Sequence, residues 1–473
     1  MALLYSLSGS AKPSTFPCPS AQPRNFPDSV YAGVACMNKN DLGNRSLNSP
    51  VLRNILTLFT GAGLAQLIAI GSTPIISRIF SPSDFGVAAL LLSIAGVSAP
   101  LATLNYQTAI QLPQQDSEAL RLLRANMAIA FSFSITVAFG IFLYSQLSGS
   151  DFFYQFKGWQ WALPVLLMLY GVETSLDSLL TRMQKYKVQA VSNVSSAAVG
   201  SGSRIVSGLV AGSSVGGLII GDLLARVARI ASLARGASLL HSRNTPVQRP
   251  ASYKSLLFRY REFPLFATPS TLLHAGNKNL PLLLFGTLFS PAVAGFYAMA
   301  NRLFFRPFQL MQFSFRRVYT QHMITAIRQK RRIVPLLSKA CLFTASGLAI
   351  PSVLLYFFGE PAVTFFLGEK WRDAGSFIEI SAPLLVFASL AIPANGAMVA
   401  LRQQHRLLMF EIMTTALVAT GFLGSFLLWR DPEATLYALV GVLAVRHLWM
   451  VRFAFSISQR HDEDLQHPES GRR

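Results

Sequence analysis

Along the chain, apolar runs of spanning length alternate with short polar or basic segments, and the pattern repeats twelve times between residues 54 and 457. Crossing a bilayer takes roughly 20 apolar residues, so the pattern predicts twelve membrane-spanning helices. Their expected positions are about 54–79, 86–110, 125–145, 160–180, 190–210, 213–232, 263–287, 293–314, 334–357, 376–399, 407–429 and 436–457. The stretch Ser81-Pro82-Ser83-Asp84-Phe85-Gly86 opens the second run. A weak echo, Ser290-Pro291-Ala292-Val293-Ala294-Gly295, opens the eighth, 209 positions later. A further echo, Leu180–Gln184 against Ala400–Gln404, falls at the nearby offset of 220. Together they predict two similar six-helix halves, related by an axis along the membrane normal.

The expected organisation is an N-terminal segment over 1–53, a six-helix lobe over 54–235, a basic linker over 236–257, a second six-helix lobe over 258–458 and a tail over 459–473. The first segment is rich in proline (Pro13, Pro17, Pro19, Pro23, Pro27) and serine. It reads as a disordered tail, or as sequence ahead of a start at Met37, with residues 1–36 untranslated; it lacks the cationic start and apolar core of a signal peptide.

Composition agrees with a membrane chain: 52% of the 473 residues are hydrophobic and 13% charged, against about 25% charged in soluble domains. The formal charge of +20 does not point to nucleic acid, because Lys and Arg gather between the apolar runs. They gather in every second connection: Arg121/Arg124, Arg182/Lys185/Lys187, Arg226–Arg261, Arg316–Arg332 and Arg402/Arg406. The positive-inside rule then puts both termini in the cytoplasm. Arg446 and Arg452 read as side chains reaching the inner leaflet. Cys18, Cys36 and Cys341 have no ligand spacing, and Asp462-Glu463-Asp464 reads as a solvated end. No metal or cofactor is expected. With no Walker loop, zinc spacing or nucleophile elbow, and only the short loops Ser148–Gly158 and Phe365–Gly375 facing outward, the chain reads as a transporter rather than an enzyme.

Ionisable residues at membrane depth are costly and normally face a cavity or a partner. Glu173 and Asp177, four apart, share a helix face; Glu173 sits nine residues, roughly 13 Å of helix, ahead of Arg182. They are either structural partners of an Arg on a neighbouring helix or a coupling site for a proton or sodium counter-ion. Arg204 interrupts a serine stripe. Asn277 and Lys278 lie between Pro269 and Pro281, and Asn301, Arg302 and Arg306 precede Pro307. Lys278, Arg302 and Arg306 read as a cationic chamber for an anionic passenger, or as partners of Glu379 and Glu411.

The chain resembles the Wzx-type polysaccharide or O-antigen flippases of the multidrug, oligosaccharidyl-lipid and polysaccharide exporter superfamily. The resemblance rests on Pro74–Pro82 with Asp84-Phe85-Gly86, Tyr260–Leu265, Leu280-Pro281, Ala294–Arg302 and Phe366–Gly375, in that order across about 54–458. It implies two six-helix lobes around a central cavity and alternating access for an undecaprenyl-diphosphate-linked oligosaccharide. It also implies substrate contacts at Arg204, Asn277, Lys278, Asn301, Arg302 and Arg306, and ion coupling at Glu173 and Asp177. Polymerase and export machinery would be partners. A multidrug exporter of the same superfamily, or a membrane polysaccharide polymerase, is the alternative.

Overall fold

The computed structural model describes residues 50–147, 156, 158–238, 252–401 and 403–466. The expectations for residues 1–49, most of Ser148–Gly158, the linker centre 239–251 and residues 467–473 lie outside the described residues. From Asn54 onward the described residues form one compact unit. Every regular element described is helical, as the apolar runs predict.

The helices of the first half of the chain are α1 (Pro50–Gly71), α2 (Thr73–Ile79), α3 (Pro82–Thr103), α4 (Tyr106–Ala109), α5 (Asp116–Leu147), α6 (Ala162–Arg182), α7 (Tyr186–Ala211) and α8 (Val215–Ser238). Then come α9 (Tyr253–Arg259), α10 (Thr268–Leu288), α11 (Pro291–Ala300), α12 (Arg306–Arg328), α13 (Val334–Leu367), α14 (Arg372–Ser381), α15 (Leu384–Ala400), α16 (Gln404–Trp429) and α17 (Pro432–Gln466). Among the described residues, seven helical segments are long and apolar enough to cross a membrane. The count is eight if α14 and α15, bent by 49°, form one span. The expected spans over 190–210, 213–232, 263–287 and 293–314 fall on the helices α7, α8, α10 and α11–α12, which are not among those segments. These four carry most of the intramembrane charges discussed below.

Three boundaries differ from expectation. The basic segment Arg316–Arg332 is mostly helix, because α12 continues unbroken to Arg328. Phe365–Gly375 is not an open loop: α13 runs to Leu367, a 3-10 turn covers Glu369–Trp371, and α14 starts at Arg372. The tail 459–466 extends α17, and Asp462 is buried rather than solvated. Its carboxylate accepts from the amides of Ile333 (2.8 Å and 3.1 Å) and Val334 (3.0 Å). Free amides at a helix start favour such an anion, so Asp462 caps α13.

The two echoed turns have the same construction. Ser81 and Ser290 both precede a Pro at the first helical position, and each hydroxyl accepts from the amide three residues on, Asp84 at 3.1 Å and Val293 at 3.3 Å. Proline costs no hydrogen bond there, and the serine satisfies an otherwise orphan amide. The turns also meet each other reciprocally. A Cβ on Gly86 would land on the Pro291 carbonyl, and one on Gly295 would land on the Pro82 carbonyl. Backbone touches backbone there only because both positions lack a side chain.

Trp371 closes over the same end of the bundle. It is fully buried, its indole N–H donates to the Ser77 carbonyl at 2.8 Å, and its ring meets Phe85 edge-on with centroids 5.6 Å apart. Lys370 donates to the Arg78 carbonyl at 2.9 Å, and the Ser77 hydroxyl to the Leu367 carbonyl at 3.1 Å.

Candidate functional site: a cationic central cavity

Two π-helical turns shape the interior, at Phe263–Ala267 and Asn301–Phe305. Each ends two residues before a proline, Pro269 and Pro307. A proline inside a helix lacks an amide and crowds the carbonyl four residues back, and a widened turn absorbs that conflict. The second widened turn carries Asn301 and Arg302.

A cavity of 910 Å³ lies among α1, α3, α7, α8, α10, α11, this π turn and the start of α12. Arg204, Arg229, Lys278 and Arg302 line it, against one carboxylate, Asp222, among the described residues. The neutral polar lining comes from Gln66, Ser93, Asn279, Asn301 and Gln309, and Phe85, Leu92, Leu218 and Leu282 supply apolar wall. The guanidinium of Arg302 lies 5.9 Å from the Phe85 ring centre and donates to the Ala69 carbonyl at 3.1 Å. Such a chamber offers forked guanidinium donors and an ammonium point charge, which suit phosphate oxygens.

Of the expected substrate residues, Arg204, Lys278, Asn301 and Arg302 come together on this cavity. Asn277 is placed elsewhere. Its amide donates to the Glu411 carboxylate at 2.8 Å, and its oxygen accepts from Thr415, tying α10 to α16. Arg306 begins α12, and its side chain lies outside the described residues. Glu411 also meets Arg446 at 3.4 Å. Arg446 therefore turns into the bundle rather than reaching for the inner leaflet, as its burial between α16 and α17 with Thr414 at 3.0 Å also requires. Glu379 is taken up by the Glu360 amide at 2.7 Å.

Glu173 and Asp177 do share a face, and α8 supplies arginines to both. Arg226 meets Glu173 at 2.8 Å; Arg229 meets Glu173 at 3.2 Å and Asp177 at 3.2 Å. Arg204 pairs with Asp222 at 2.6 Å. In the sequence Arg226 stands at the start of a basic connection, and neither Asp222 nor Arg229 draws notice. The missed signal is their spacing: Asp222, Arg226 and Arg229 recur at intervals of four and three, one face of a helix. Among the described residues, no group of three or more His, Cys, Asp or Glu side chains is arranged to hold a metal ion.

Residues 75–376 match the model of a family described as polysaccharide biosynthesis protein. The chain belongs to this polysaccharide biosynthesis family. No curated protein matches it in sequence. Among solved structures, the family member's fold is similar to that of an inward-facing multidrug resistance MATE family transporter of the MOP superfamily. That match has a TM-score of 0.64 and 15% identity over 86% of this chain and 96% of the other. It is also similar to the lipid II flippase MurJ in an inward closed conformation, with a TM-score of 0.65 and 11% identity over 88% and 91%. An outward-facing MATE transporter aligns at a TM-score of 0.55 and 12% identity over 88% and 98%. At these identities the likeness shows the fold alone; the helices long and apolar enough to cross a membrane make the chain a multi-pass membrane protein.

Proposed function

We propose that this polysaccharide biosynthesis protein is a flippase. It moves undecaprenyl-diphosphate-linked oligosaccharide repeat units from the cytoplasmic to the periplasmic leaflet of the bacterial inner membrane, for exopolysaccharide, capsule or O-antigen synthesis. The observation that carries this reading is the cavity wall with four cations and one carboxylate. Forked guanidinium donors and an ammonium group on one wall suit the oxygens of a diphosphate passing through. The sugars cross in the hydrated chamber and the prenyl chain stays in lipid. Both termini are cytoplasmic, and alternating access is powered by the membrane potential or by a counter-ion at Glu173 and Asp177. Polymerase and export machinery would receive the product.

A multidrug exporter would share this fold, but a cationic wall repels the cationic drugs such a protein would carry. The short segment between α5 and α6 leaves little room for the loop domain a polymerase would need. Deleting the gene tests the reading. Loss of a flippase accumulates lipid-linked repeat units in the inner leaflet, whereas loss of a polymerase releases single exported units and would contradict it.

A further inference from the structure

Arg204 of α7 and Arg226 and Arg229 of α8 meet carboxylates, and one of these three is held differently. Charge-assisted hydrogen bonds between nitrogen and oxygen are usually about 2.7–2.9 Å long. Arg204 with Asp222 at 2.6 Å and Arg226 with Glu173 at 2.8 Å are tight pairs. Arg229 is divided between Glu173 and Asp177, both at 3.2 Å. Its buried Nε has no hydrogen-bond partner among the described residues. Arg229 lines the cavity, and Arg226 does not. The loosest of the three guanidiniums is thus the one that both touches the cargo space and holds the candidate coupling carboxylates.

We propose that Arg229 links cargo to a companion cation: an anionic group in the cavity draws Arg229 off Asp177, and the released carboxylate takes up a monovalent cation, a proton or a sodium ion, that accompanies the anion and leaves the membrane potential as the drive. This rests on the anion-site reading above and deepens it. The two carboxylates respond unequally, because Glu173 retains Arg226. The Asp177 carboxylate has no partner other than Arg229 among the described residues, and its side chain is 35% exposed.

The groups around Asp177 fit that role. On α6 itself stand Glu173, Tyr170 and Arg182, the last already engaged by Asp116 of α5 at 3.0 Å. From α7, Gln189 donates to the Asp177 backbone carbonyl at 3.0 Å and to the Thr181 hydroxyl at 2.8 Å, leaving the carboxylate alone. From α8 come Arg226 and Arg229. Among the described residues Asp177 meets no cation but Arg229, while Arg226 is held by Glu173. Linkage is reciprocal: cation uptake at Asp177 must then tighten anion binding by the factor that anion binding tightens cation uptake.

The test uses full-length protein in lipid nanodiscs and farnesyl diphosphate as the probe. Wild type should bind it more tightly as the buffer goes from mildly alkaline to mildly acidic, or as sodium replaces potassium at constant ionic strength; which arm responds names the cation. Asp177→Asn, which removes one of the two carboxylates that hold Arg229, should bind roughly tenfold tighter than wild type at alkaline pH. That gap should close under the condition that loads the cation, and titration of the probe itself cancels in the ratio of the two proteins. Glu173→Gln, which leaves Asp177 intact, should keep the response. Equal affinity of wild type and Asp177→Asn at alkaline pH, with both binding, overturns the link and leaves the anion site standing. Absence of binding in both folded proteins overturns the anion site and the link together.

Discussion

The crossing of α3 and α11 gives the sharpest structural prediction. Replacing Gly86 by Ala places a methyl on the Pro291 carbonyl and 2.8 Å from the Gly295 nitrogen, whereas ordinary contact begins at 3.4 Å. The obstructing atoms are backbone, so no side chain can rotate away. Both helix starts are also fixed, each by a serine cap and a proline, so relief requires the two helices to separate. Overpacking costs about 1–3 kcal/mol, and a backbone obstruction belongs at the upper end, about 3 kcal/mol. Gly295→Ala should cost a similar amount, because its Cβ meets the Pro82 carbonyl and lies 3.2 Å from the Gly86 nitrogen. The double variant should cost less than the sum, since helices already separated leave room for the second methyl. Gly140→Ala is the control: nothing lies within 4 Å of its Cβ, and alanine is the better helix former by about 1 kcal/mol. Thermal unfolding of the purified proteins in detergent reads all four. Gly86→Ala and Gly295→Ala as stable as wild type would refute the direct contact between the two echoed turns.

Other predictions follow from single contacts. Asp222→Ala leaves Arg204, whose side chain is 14% exposed, without its carboxylate, and should cost about 3 kcal/mol in the same assay; Arg204→Met combined with Asp222→Leu should recover most of it. Asp462→Ala removes the acceptor for two amides at the start of α13 and should cost about 1–2 kcal/mol. Hydrogen exchange at the first turn of α13 should rise with it, and unchanged exchange there would contradict the cap. Reporter fusions after Lys187 and Arg328 should sit in the cytoplasm and one after Gly368 in the periplasm; the reverse pattern would overturn the orientation.

Much of the fold was readable because membrane helices announce themselves by length. The segments that fall short of that test explain the rest. α7, α8, α10 and α11–α12 carry serines, asparagines and charges because they border the cavity, so the features that weaken their hydropathy are those that mark the site. Lys278 stands between Pro269 and Pro281 and Arg302 is one of two arginines ahead of Pro307, and both line the cavity. Arg229 has no such mark, because an arginine between Arg226 and Arg235 looks like part of the usual basic flank of a span. Only the position of Glu173 and Asp177 on the adjacent helix gives it meaning. Asn277 looked equivalent to Lys278 in sequence, yet one residue on a helix turns a side chain by about 100°, enough to hand it to α16. Asp462 was hidden for another reason: no pattern within 459–473 reveals that α13 begins beside it.

The central claim is that the cavity cations receive the diphosphate of a lipid-linked oligosaccharide. It is tested most directly by translocation of a defined undecaprenyl-diphosphate glycan in proteoliposomes, comparing wild type with Lys278→Ala, Arg302→Ala and the double variant. The account predicts transport by wild type, a loss of tenfold or more in each single variant, as expected for removing about 1.4 kcal/mol or more of charge-assisted binding, and near-complete loss in the double. Undiminished transport by a correctly inserted double variant would contradict it.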